Sequence, residues 1–170
     1  MGKRATKAAD NAYCIARYEA AAREPAFSSR EQASAALLMD ATRLANIELG
    51  KIVPHPDEVK RMADIYRMPE LCNTYCSCQC SIGQHFVRPV QMDDFDRLSL
   101  KMLGALKDID ELRASLISVS EDGLVDNEEY PRFHEILDSL DKISDSAASL
   151  RLWAQKNIAA DTARPAPAEG

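Results

Sequence analysis

Apolar residues recur at helical spacing along almost the whole chain, and no segment of useful length alternates with the period of a strand. The two clearest runs lie in the second half. Leu98, Met102, Ala105, Ile109, Leu112 and Leu116 are separated by 4, 3, 4, 3 and 4 residues. Phe133, Ile136, Leu140, Ile143, Ala147, Leu150 and Ala154 follow at 3, 4, 3, 4, 3 and 4. Heptad seams of this kind pair helices by setting knobs into holes. The intervening "EDGLVDNEEYP" supplies a turn, so residues 92–157 predict a long antiparallel helical hairpin. Such a hairpin has a thin core by itself and is expected to pack on a second copy or on the first domain.

The first half is divided by its own punctuation into five shorter helices. Residues 5–23 are Ala-rich and stop before Pro25. Ser28 with Glu31 has the spacing of a capping box, which predicts a helix over 29–37. Asp40 is placed to cap the next helix, over 41–49, and Gly50 to end it in a left-handed conformation. Beyond the loop "VPHPD", Asp57 to Tyr66 puts Val59, Met62, Ala63 and Tyr66 on one side of a fourth helix. Pro69 suits the first turn of a fifth, which carries Leu71 and the cysteines. The expected organisation is all-α: a five-helix domain over 1–81, a linker over 82–91, the hairpin, and a disordered Ala/Pro-rich tail over 158–170.

Composition changes this picture in two ways. No apolar run approaches the ~20 residues needed to span a bilayer, and no apolar stretch follows the basic "MGKRATKAAD", so a cytoplasmic protein without a membrane partner is expected. Charge is uneven. Residues 1–66 hold ten Lys/Arg against nine Asp/Glu, and the remainder eleven against eighteen, for a net charge of −6. Contacts to phosphate are therefore expected only from the first half.

The stretch "SSREQASAALLMDATRLANIELGKIVPHPDEVKRMADIY" carries the specific signal. It resembles the Xre or lambda-repressor-like helix-turn-helix family over residues ~5–75, and Ile47-Glu48-x-Gly50-Lys51 followed by "PHPDEVKRMA" is the closest piece. The resemblance implies a transcriptional regulator that reads the major groove of double-stranded DNA with helix 41–49. Leu44 and Ile47 would face the core, leaving Thr42, Arg43 and Asn46 on the other side. Arg can pair with guanine, Asn with adenine, and Thr with a thymine methyl group or a phosphate. By resemblance Thr42 and Asn46 fall where bases are read, Ala41 is a further DNA-binding candidate, Arg43 could read a base or hold a phosphate, and Arg30 and Lys51 match backbone-contacting positions. Glu48 stands where the family often pairs a Glu with an Arg of the first helix; Arg23 or Arg17 fits, depending on how Pro25 is counted. The turn "LLMDA" lacks the family's common Gly, so its middle residue must manage without free φ. With so few cations, monomeric binding would be weak, and a homodimer formed through the hairpin is expected.

Cys72, Cys76, Cys78 and Cys80 lie within nine positions. Zinc or an iron–sulfur centre is one reading, with His85 as a further ligand, but no cofactor is expected. On a continuous helix Cys72 and Cys80 stand ~12 Å apart along the axis, so one ion can use all four thiolates only if the helix unwinds near Ser77. Buried packing thiols and a redox pair such as Cys76 with Cys80 are the alternatives. "SVSEDGLVDNEE" has the outline of a calcium loop, yet Ser118 and Ser120 replace two strong ligands, and a plain turn is expected. His55, His85 and His134 have no nucleophile or acid partner, and an enzyme is not expected. Two other functions stay open: a protein-interaction module that kept the fold without DNA binding, and a metal- or thiol-responsive regulator.

Overall fold

The computed structural model describes residues 8–119 and 124–162, side chains of 159–162 apart. The start of the first predicted helix, the core of the calcium-like loop at 120–123 and the tail beyond 162 lie outside these residues. Among the described residues every regular element is helical, and no helix is long and apolar enough to cross a membrane. The chain divides into two compact units, one of residues 1–89 with 155–170 and one of residues 90–154.

The first unit holds α1 (Ala12–Ala21), a 3₁₀ turn (Pro25–Ser28), α2 (Arg30–Ala36), α3 (Ala41–Glu48), α4 (Pro56–Tyr66), α5 (Glu70–Cys78) and the single turn α6 (Gly83–Phe86). Its core gathers Tyr13, Ala16, Ala33, Leu37, Leu44, Ile47, Val59, Met62, Tyr66 and Leu71 from all five main helices and their connections. Phe27 of the 3₁₀ turn meets Tyr66 edge-on at 5.4 Å between ring centroids.

Local chemistry sets the helix ends. Asn11 Oδ1 accepts from the amides of Tyr13 and Cys14 to cap α1, while its Nδ2 donates to the Ile47 carbonyl near the end of α3. Asp40 accepts from the Thr42 and Arg43 amides at the start of α3. Gly50, at φ 68°, closes the other end, with its own amide on Ile47 O and that of Lys51 on Asn46 O. The predicted capping box does not form. Ser28 is drawn into the 3₁₀ turn behind Pro25, where its hydroxyl donates to the Pro25 carbonyl, and Ser29 becomes the residue before α2.

The turn between α2 and α3 ends in the same hydrogen-bond pattern as Gly50, but Leu38 occupies the left-handed position, at φ 52°. Arg61 of α4 donates to the Leu37 carbonyl at 2.8 Å and helps hold the turn. Leu38 is 80% exposed and buries little in return for this conformation. Leu38→Gly is therefore expected to stabilise the protein by about 1 kcal/mol, because a side chain in the left-handed region costs that order and glycine does not. A urea midpoint that falls instead of rising would show that the leucine packs on something the fold requires.

The second unit contains α7 (Phe95–Ala105), α8 (Ile109–Val119) and α9 (Tyr130–Thr162) as far as residue 154. The first predicted long helix is interrupted at 106–108. Gly104 weakens the last turn of α7, where the Lys107 amide reaches back only to the Gly104 carbonyl, and the acidic Asp108, Asp110 and Glu111 suit a new helix start. Leu112, Val119 and Ile136 form a small core with Val125, Phe133 and Ile143 around it. Arg132 donates to the hydroxyls of Ser115 and Ser118, and Phe95 packs on Trp153 at 4.9 Å. The seams are incompletely covered: Ile109, Leu116 and Leu140 stay about two-fifths exposed. α9 also continues through 158–162, where composition predicts disorder.

Candidate nucleic-acid interface

α3 turns Leu44, Ile47 and Glu48 inward, all of them buried. At 3.6 residues per turn this leaves Thr42 and Asn46 opposite the core, with Ala41 and Ala45 on one flank and Arg43 on the other. Thr42 is exposed, Ala41 and Asn46 are half-buried, and Lys51 is exposed just beyond the helix. Ser29, Arg30 and Glu31 at the start of α2 line an open recess together with Ala41, Thr42 and Ala45.

Glu48 is a fully buried carboxylate with two arginine partners. Arg17 of α1 donates from Nε at 2.5 Å and from Nη2 at 3.2 Å, and Arg30 donates from Nε at 2.6 Å. Arg17 is itself 1% exposed and spends Nη1 on the Phe27 and Ser28 carbonyls at 2.8 and 3.2 Å. Burial opposes its charge, but the hydrogen bond and charge of Glu48 outweigh that and raise its pKa further. Arg23, the other arginine near Pro25, donates to the Tyr66 carbonyl instead. Arg30 is thus a third member of the buried cluster rather than a free cation, although its Nη2 has no hydrogen-bond partner among the described residues.

Arg43 is also engaged. Its Nε and Nη2 meet the two oxygens of Glu58 at 2.5 and 2.8 Å, a bidentate pair to the first turn of α4. Glu58 additionally accepts the His55 amide at 2.7 Å, and Arg43 foremost, with that amide, holds its carboxyl below the usual range. No spacing rule links residues 43 and 58. The available signal was Glu58 three positions after His55, where a carboxylate folds back over a helix start.

The cysteines occupy α5 and its exit. α5 stays helical through Ser77, whose hydroxyl donates back to the Asn73 carbonyl, and ends one residue later at Cys78, which leaves Cys80 beyond the helix. Tyr13 donates to Gln79 Oε1 at 2.7 Å, and burial, followed by Tyr75, pushes its phenol up. Gly83 donates its amide to Cys80 Sγ at 3.3 Å. Among the described residues no three His, Cys, Asp or Glu side chains are grouped to hold one ion. Cys78 is exposed, Cys72, Cys76 and Cys80 are half-buried, and Cys14 is buried. Burial also pushes the Cys72 thiol up. Brief maleimide treatment at neutral pH is therefore expected to label Cys78 first and Cys14 last, as read by peptide mass spectrometry. Equal labelling of those two would contradict the packing of α1 and α5.

No protein-family model, no curated protein and no solved structure matches the chain.

Proposed function

We propose that the chain is a sequence-specific DNA-binding regulator that places α3 in the major groove. The observation that carries this reading is the build of α3. It is capped at both ends, fixed inward by Leu44, Ile47 and the Glu48 cluster, and presents Thr42 and Asn46 outward, with Lys51 exposed beside them. Together with the resemblance of residues ~5–75 to the Xre or lambda-repressor-like family, this supports reading α2 and α3 as a helix-turn-helix pair. Thr42 and Asn46 read base edges, while Lys51 and the backbone amides at the start of α2, rather than the Arg30 side chain held by Glu48, meet phosphates.

The first unit carries fourteen Lys/Arg against twelve Asp/Glu, too small an excess for a tight monomeric complex. Two copies would double the contacts. The second unit, read as a helical hairpin, is the dimerisation element, because its seam residues Ile109, Leu116 and Leu140 remain partly uncovered. Selection of duplexes from a random pool at physiological salt tests the reading. A two-fold site with half-sites about one helical turn apart is the expected result. An unenriched pool would overturn it.

The interaction-module reading keeps one specific support. Leu100 and Leu103 of α7 are about two-thirds exposed, on a unit with seven Lys/Arg against fifteen Asp/Glu. It would gain if no duplex were enriched while a protein partner was lost on Leu103→Lys.

A further inference from the structure

The flank of α3 next to α4 presents an arginine that the DNA reading would otherwise use. Arg43 has the guanidinium best suited to guanine or phosphate, yet it lies about a quarter turn away from the Thr42–Asn46 line. Its Nε and Nη2 are committed to both oxygens of Glu58. Glu58 is itself anchored by the His55 amide and is only 14% exposed, so the carboxylate cannot simply swing into water with the arginine. For Arg43 to reach a base or phosphate, two charge-assisted bonds must break and a nearly buried carboxylate must be left without its counter-ion.

We propose that Glu58 is a specificity-determining residue that withholds Arg43 from DNA, leaving Thr42 and Asn46 to set the preference of α3. This deepens the DNA-binding reading and rests on it. The pair has two consequences for a duplex. It removes one cation from the count available to phosphates, and it keeps a strong guanine-reading group away from the base face. The protein thereby gains discrimination, since phosphate contacts add affinity without distinguishing sequences.

Glu58→Gln tests this. Glutamine keeps the shape and can still accept the His55 amide at that helix position, so α4 retains its start; a thermal melt checks that the fold is intact. The probe is a mixed-sequence duplex of about two helical turns, titrated between about 50 and 200 mM salt. Release of Arg43 onto a phosphate is expected to steepen the slope of log K against log salt by about 0.9 and to tighten mixed-sequence binding roughly tenfold near 0.1 M salt. The added slope is expected to vanish in the double variant Glu58→Gln, Arg43→Ala. Unchanged or weaker binding by Glu58→Gln would overturn the proposal, weaker binding showing that Glu58 aims Arg43 at DNA instead. If the parent chain itself shows no salt-sensitive binding, both the proposal and the reading beneath it fall; if only the Glu58 variant fails to gain, the reading stands alone.

Discussion

Glu48→Ala is expected to destabilise the chain by about 3–5 kcal/mol, a large part of the ~5–15 kcal/mol that holds a domain folded. The reason lies in what the change leaves behind. Arg17 is almost fully buried and stays charged there, with Glu48 facing it with both oxygens as its counter-ion. Without the carboxylate, the Phe27 and Ser28 carbonyls still accept from Nη1 and the Tyr18 ring still lies 4.4 Å below the guanidinium. Neither neutralises the charge. Arg30 loses its partner too, but at 32% exposure it can turn to water. Removing both buried charges behaves differently, because well-packed apolar replacements of a buried pair are often neutral. The double variant Arg17→Met, Glu48→Leu is therefore expected to lie closer to the parent than Glu48→Ala does. Urea denaturation of the set decides it: a Glu48→Ala loss under about 1 kcal/mol, the range of an exposed pair, would show that the cluster is solvated.

Gly83→Ala is the other large expected effect, and it is local. A Cβ at residue 83 would stand 2.3 Å from the Cys76 carbonyl oxygen and 2.9 Å from its carbon. Both are backbone atoms of α5, so no rotamer change relieves the clash. Overpacking costs about 1–3 kcal/mol, and the cheaper escape is for α6 to lift from α5. That movement breaks the Gly83 amide contact to Cys80 Sγ and strips cover from Cys76. Faster amide exchange over residues 80–87 and faster alkylation of Cys76 and Cys80 are expected, with slower change elsewhere in the first unit. Unaltered exchange in that segment would mean that the helical turn does not sit on α5.

What could be read from the chain alone follows the range of the interactions involved. The limits of α3 are legible because Asp40 and Gly50 act on their immediate neighbours, whereas α4 begins at Pro56, one residue earlier than the expected Asp57, because proline suits a first helical position. Ser28 and Glu31 have the spacing of a capping box, but Pro25 offers the same hydroxyl a nearer acceptor. The heptad seam concealed the break at 106–108, since apolar spacing registers which face is buried and is insensitive to a single weak turn at Gly104. The Glu48 cluster was half legible. A gap of unknown length around Pro25 left Arg17 and Arg23 equivalent, and the 3₁₀ turn resolves them by taking up the extra residues. Arg43 with Glu58 was out of reach, because the two meet only through the angle between α3 and α4.

Both ends of α3 are finished by groups that do not point toward its outer face. Asp40 and the backbone at Gly50 close the helix, and Leu44, Ile47 and Glu48 seat it. These bonds use only the backbone of Thr42, Ala45 and Asn46, not their side chains. Those side chains can be exchanged at small cost to folding, so on the DNA-binding reading proposed above new target preferences would be open to selection one substitution at a time. The same separation suits the chain to laboratory recoding: a library randomised at 42, 45 and 46 should return mostly folded members, which on that reading would be sorted by the duplex each retains.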